Sequence, residues 1–145
     1  MDYTEIESLT RSHAKRIADV TDLIIEFSNK MKKTHAMCYW EVTPQEIHFN
    51  KAFIDVNKGC FTVINELCIH ECIHLVPGCN RHNKKFIKLC EDNGIEVYGY
   101  SCNYKNPPPL YRVWCPSCLV VKSFYSTPKV NKCKICNSPL EIKSV

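Results

Sequence analysis

His70-Glu71-Cys72-Ile73-His74 is the stretch from which the rest of the chain can be read. It has the form H-E-x-x-H. On a helix, residues four apart lie one above the other on the same face, roughly 6 Å along the axis. Two imidazoles at that spacing can converge on one metal ion, with the intervening glutamate beside it. The preceding residues, Phe61 to Ile69, contain neither glycine nor proline and can run as one helix into His74. Ile64, Cys68, Cys72 and Leu75 or Val76 fall on one side, which predicts a core face with the histidines turned away from it. Pro77-Gly78 predicts the end of the helix. A third ligand must then come from outside it, since an open zinc site takes three protein ligands and leaves the fourth position free. Cys79 and His82 both follow closely enough to supply it.

The 145 residues suit one modest domain with an appendage, and the 45% hydrophobic and 23% charged shares are those of a globular chain. No apolar run is long enough to span a membrane, and the N-terminus lacks the basic-then-apolar plan of a signal peptide. These features predict an intracellular, cytoplasmic protein, with the nucleoid or nucleus as further locations, and no membrane partner. The 11 cysteines then predict metal ligands and buried thiols in place of disulfides. The net charge of +4 is unevenly spread. From Leu110 onward there are six basic residues and one acid, whereas the residues before carry 13 basic and 14 acidic ones. Such a split predicts a basic appendage that meets a polyanion.

Ile6, Leu9, His13, Ile17, Val20, Ile24, Phe27 and Met31 recur at steps of three and four, predicting one helix from Thr4 to about Lys33, with Thr4 and Glu7 as its capping box. His13 reads as a half-buried, satisfied histidine. Met37–Val42 and Glu46–Asn50 read as strands, with His48 at an exposed position. Lys51 to Val56 reads as a turn of helix and Asn57-Lys58-Gly59 as a turn. Asn83 to Asp92 reads as a helix with Phe86, Leu89 and Cys90 inward, closed by Asn93-Gly94, and Ile95–Tyr98 as a short strand. Cys38, Cys60, Cys68, Cys72, Cys90 and Cys102 read as core thiols.

Asn106-Pro107-Pro108-Pro109 is a stiff linker where the charge changes sign, dividing a domain over residues 1–105 from one over 110–145. Beyond it, Cys115-Pro116-Ser117-Cys118 and Cys133-Lys134-Ile135-Cys136 form a CxxC…CxxC pair. Four thiolates so spaced predict a closed, structural zinc site, needed because so short a segment cannot build a sufficient core. Val120, Val121, Phe124 and Tyr125 predict a β-hairpin between the knuckles.

The order of parts resembles the SprT-like family, which includes the Spartan proteases. The matching residues are His70, Glu71 and His74, then His82-Asn83-Lys84-Lys85-Phe86 as H-x-x-x-F, then Cys115, Cys118, Cys133 and Cys136, within roughly residues 37 to 143. Asn83 stands where the family usually has glycine, as do Leu119 and Asn137 after the knuckles. The H-x-x-x-F pattern selects His82 over Cys79 as the third ligand. The resemblance implies an α+β fold: a zincin-like metalloprotease domain with an HExxH helix and small sheet, followed by a C-terminal zinc ribbon. It implies two zinc ions, one catalytic and one structural. It also implies hydrolysis of peptide bonds in a protein substrate, in some members a protein crosslinked to DNA. Zinc held by three neutral histidines lowers the pKa of bound water, and Glu71 is expected to take that water's proton as general base. Arg112, Lys122, Lys129, Lys132 and Lys134 are the expected contacts to DNA, single-stranded or at a junction, helped by Tyr111, Trp114, Phe124 and Tyr125. Two other functions fit the same residues. One is a nucleic-acid-binding zinc-ribbon protein without proteolysis, for which an intact Glu71 has no use. The other is a repressor-cleaving HExxH metallopeptidase with a downstream carboxylate ligand, for which Glu91 is a poor candidate.

Overall fold

The computed structural model describes residues 1–124 and 127–145, so Tyr125, expected in the hairpin, lies outside the described residues. The chain divides into two compact units, Met1–Asn106 and Pro107–Val145.

The first unit opens with helix α1 (Tyr3–Ala18). Its capping box uses Asp2 and Glu5, not Thr4 and Glu7: the Glu5 amide donates to Asp2 Oδ1 at 2.8 Å and the Asp2 amide to Glu5 Oε2 at 2.6 Å. The helix stops at Ala18 and does not reach Lys33 as its apolar spacing predicts. Asp19 turns into the left-handed region at φ 53°, and its N–H donates to the Ala14 and Lys15 carbonyls, closing α1 without a glycine. The chain then extends into β1 (Leu23–Ser28), where Leu-Ile-Ile favours a pleated, half-buried surface. β1 pairs in parallel with β3 (Gln45–Asn50), and β2 (Ala36–Tyr39) pairs antiparallel with the other side of β3, giving the order β1-β3-β2. Register sets Ile25 against Ile47 and Phe27 against Phe49. His48, expected to be exposed, is half-buried: its Nε2 lies 2.7 Å from Glu46 and its ring 4.6 Å from that of Tyr39.

Helix α2 (Lys51–Asn57) follows β3 directly, capped by Asn50. Helix α3 (Phe61–His74) then runs through the middle of the unit. It was expected to bury one face, and it buries two. Ile64, Leu67, Cys68 and Cys72 join Ile6, Ile47, Phe49 and Phe53 in the larger cluster. Ile69 and Ile73 join Cys79, Phe86, Cys90 and Ile95 in a smaller one. α4 (Lys84–Asp92) seals that smaller cluster with Phe86 and Cys90 and ends at Asn93 and Gly94, the latter at φ 67°. Ile95–Tyr98, expected as a strand, pairs with no strand among the described residues and passes the site as irregular backbone. The following segment is tied back by Asn57, whose Nδ2 donates to the Lys105 carbonyl while the Lys105 amide donates to its Oδ1, both at 2.8 Å.

The second unit is a three-stranded antiparallel sheet, ordered β5-β4-β6, of β4 (Tyr111–Trp114), β5 (Val121–Phe124) and β6 (Glu141–Ser144). The expected hairpin thus takes one strand, β5 with Val121 and Phe124, from between the knuckles, and the other, β4, from before the first knuckle. β5 folds back on β4 across the first knuckle, because β4 offers a partner of matching length immediately before Cys115. Val113, Cys115 and Cys133 are its buried residues among those described. So small a core leaves the four cysteines as the principal means of holding the unit folded. Leu119 and Asn137, each following a knuckle, adopt φ 57° and 60° and donate to the Cys115 and Cys133 carbonyls at 2.8 and 2.9 Å. This is a conformation that glycine adopts without strain. Among the described residues, no helix is long and apolar enough to cross a membrane.

Candidate metal centres and the adjoining cleft

α3 presents His70 and His74 on successive turns, and the turn after it returns His82 to them. That turn is pinned on both sides: Asn83 Nδ2 donates to the Gly78 carbonyl and Lys85 Nζ to the Pro77 carbonyl, both at 2.7 Å. Asn83 also caps α4 through the Phe86 amide. The Nε2 atom of His82 stands 3.2 Å from that of His70 and 3.3 Å from that of His74. Three nitrogens bound tetrahedrally to zinc at about 2.05 Å would stand ~3.3 Å apart. The spacing fits the ion. The His74 ring is oriented for it as well, since its Nδ1–H donates to the Cys79 carbonyl at 2.8 Å and leaves Nε2 as the acceptor.

Cys79 and Glu91, the alternative ligands, lie outside this group. Cys79 is buried in the smaller cluster and Glu91 is exposed on α4. Phe86 supports the group from beneath, with ring centroids 5.0, 4.5 and 4.6 Å from those of His70, His74 and His82. The phenylalanine of H-x-x-x-F is thus the floor on which all three imidazoles rest. Burial keeps the three histidines neutral, drawing their pKa values down; that of His70 falls to about 3, its two histidine neighbours adding to the effect. Neutral imidazole is the form that binds a metal.

Glu71 is buried with 5% of its surface exposed, and burial pushes its carboxyl up to about 8. It opens on a cavity of about 510 Å³ that His70, His74 and His82 also line. β2 supplies one wall through Ala36, Met37 and Cys38, and Glu96 to Tyr100 the other. Sequence reasoning missed most of these walls. Tyr98 sets its ring 5.1 Å from that of His82, edge to face. Tyr100 shares a 3.0 Å hydrogen bond with His35 Nδ1. Glu66, one turn before His70, accepts from the Ser101 amide at 2.8 Å and from its hydroxyl, fastening the second wall to α3. The aromatic content of 95–104 was the available signal, but nothing local says which element those rings meet.

In the second unit, the sulfurs of Cys115, Cys118, Cys133 and Cys136 lie within 4.8 Å of one another. The Cys118 amide donates to Cys115 Sγ and the Ile135 amide to Cys133 Sγ, each at 3.4 Å, and the Cys136 and Ile135 amides draw the Cys133 thiol down. The side chain and backbone of Ser138 draw the Cys136 thiol down. Four soft donors converging in this way fit a zinc ion closed on all sides. The predicted nucleic-acid residues Arg112, Lys122, Lys129, Lys132 and Lys134 are exposed. Register pairs Arg112 with Lys143 across β4 and β6, whereas Lys122 stands opposite Val113, on the other face of the sheet. The strands therefore do not gather these side chains onto one face. Tyr111, Trp114 and Phe124 are half-buried. Comparison with known family models, with curated proteins and with solved structures gave no match to this chain.

Proposed function

We propose that the chain is a zinc-dependent endopeptidase of the SprT-like type, with a zincin-like catalytic domain and a zinc ribbon. On this reading it acts on proteins bound or crosslinked to DNA. The observation that carries the proposal is the convergence of three neutral imidazoles at tetrahedral spacing beside a buried glutamate on a cavity floor. His70, His74 and His82 would hold the catalytic ion, and Cys115, Cys118, Cys133 and Cys136 the structural one. Zinc in the histidine site would polarise the scissile carbonyl and make water nucleophilic near neutral pH. Glu71 accepts the proton released as water attacks, and returns it to the departing amine. Phe86 and the Cys79 carbonyl fix the imidazoles, so that the ligands need not reorganise. An intact, buried carboxylate favours hydrolysis over simple metal storage, because a purely structural site has no use for it. In the second unit, the exposed lysines and Arg112 neutralise phosphates and bring the protease to its substrate.

The test incubates zinc-loaded protein and its Glu71→Gln variant with an unfolded protein such as casein, with and without single-stranded DNA. The wild type should cleave, and the variant should retain its zinc while losing about 10²- to 10⁴-fold in rate. Equal cleavage by both would refute the role of Glu71. Absence of cleavage by the zinc-loaded wild type under both conditions would count against the protease.

A further inference from the structure

Cys60 and Cys102 lie outside both metal clusters, 42 residues apart in sequence, yet their sulfurs are 3.5 Å apart. We propose that these two cysteines are an oxidisable pair, which a hydroperoxide converts to a disulfide joining the start of α3 to the cavity wall. The sulfurs need only close to about 2.05 Å. Both are half-buried, within reach of a small oxidant, unlike Cys68, Cys72 and Cys90 in the interior.

The two thiols are not equivalent. Cys60 is the N-cap residue of α3. Its side chain makes no formal capping bond, but the Val63 amide, the Cys102 thiol and the Thr62 amide all favour its thiolate and draw its pKa down. Cys102 is shifted the other way, above all by its bond to Cys60. The amides at the start of α3 favour a thiolate at Cys60, which makes Cys60 the nucleophile of the pair. In the reaction, the Cys60 thiolate attacks one peroxide oxygen, the O–O bond breaks and hydroxide leaves, giving a sulfenic acid. The Cys102 sulfur then attacks the Cys60 sulfur, the S–O bond breaks, and hydroxide takes up the Cys102 proton. With hydrogen peroxide, one peroxide and two thiols yield one disulfide and two waters.

The placement gives the bond a consequence. Ser101, which holds Glu66, precedes Cys102, and Tyr100 and Tyr104 on either side line the cleft. A disulfide would add a covalent tie to a wall otherwise fastened to α3 by the Glu66–Ser101 hydrogen bonds.

The test treats the full-length, zinc-loaded chain with about one equivalent of hydrogen peroxide, quenches with iodoacetamide and maps the peptides. We expect the adducts at Cys60 and Cys102 to be lost together, a peptide linking the two to appear, and dithiothreitol to restore both adducts. In Cys102→Ser, Cys60 should instead accumulate as sulfenic acid and be trapped by dimedone. In Cys60→Ser, Cys102 should stay alkylated. Undiminished alkylation of both residues in the wild type, or a dominant bond from either to another cysteine, would overturn the proposal. The wild-type measurement requires neither a variant nor proteolytic activity.

Discussion

Replacing Glu71 by Gln in the metal-free protein should stabilise it at alkaline pH. A carboxyl buried without a counter-ion is held above its ordinary value of 4.5, at about 8. Between those two pH values the unfolded chain has released this proton and the folded chain has kept it. Stability from this group is therefore fully present below about 4.5 and falls by about 1.4 kcal/mol per pH unit until about 8. Over that window the loss approaches about 5 kcal/mol if the site stays dry, and less as water enters. The substituted glutamine has the same shape and no proton to lose, so the loss disappears. Urea unfolding followed by far-UV ellipticity measures the difference, since the helices among the described residues all belong to the first unit. His70, His74 and His82 are common to both proteins and cancel to first order. The two proteins should match near pH 4.5 and diverge in favour of the variant as pH rises. With zinc bound, the advantage should shrink or reverse, because a dication favours the carboxylate. A metal-free variant no more stable than wild type near pH 8 would refute the burial of Glu71 away from any compensating charge.

Metal analysis should find two zinc ions per chain, with a chelator removing the histidine-bound ion first because that site opens on the cavity; one zinc or fewer, with all four ribbon cysteines intact, would contradict this. Phe86→Ala should cost about 3–5 kcal/mol by calorimetry or denaturant melt, as for other buried aromatics, and weaken zinc binding at the histidine site. A variant of full stability with unchanged zinc affinity would show that the imidazoles do not depend on their floor. Replacing Lys129, Lys132 and Lys134 by Gln should lower the salt dependence of single-stranded DNA binding by about 0.7 in log–log slope for each phosphate no longer neutralised, and leave cleavage of a free peptide unchanged. An unaltered slope, measured by fluorescence titration at several salt concentrations, would remove these lysines from the interface.

The residues of the two candidate metal clusters were legible because their information is local. The spacing of His70 and His74 is the helical repeat itself, the CxxC knuckles are single turns, and His82 is followed at once by the Asn83 cap and Phe86. The boundary between α1 and β1 was hidden for a different reason. Val20, Ile24 and Phe27 happen to continue the helical spacing, while the signal that stops the helix is a left-handed aspartate, not a glycine. His48 and the two-sided burial of α3 depend on which elements pack together, and one residue's neighbours in sequence do not reveal that. Long-range pairs such as Glu66 with Ser101 and Asn57 with Lys105 were illegible for the same reason.

Because α3 belongs to both apolar clusters, the first unit need not come apart all at once. The smaller cluster consists of α4, the turn carrying His82 and one side of α3, and can detach while the sheet, α1 and the other side of α3 remain packed. Such an opening removes one ligand from the histidine group, so a bound ion must dissociate before it or resist it. Amide hydrogens of α4 should then exchange at a rate set by metal occupancy, slowing as zinc is added. Those of β3 should exchange only when the whole unit unfolds. The ion would act as a latch on the detachable half of its own site.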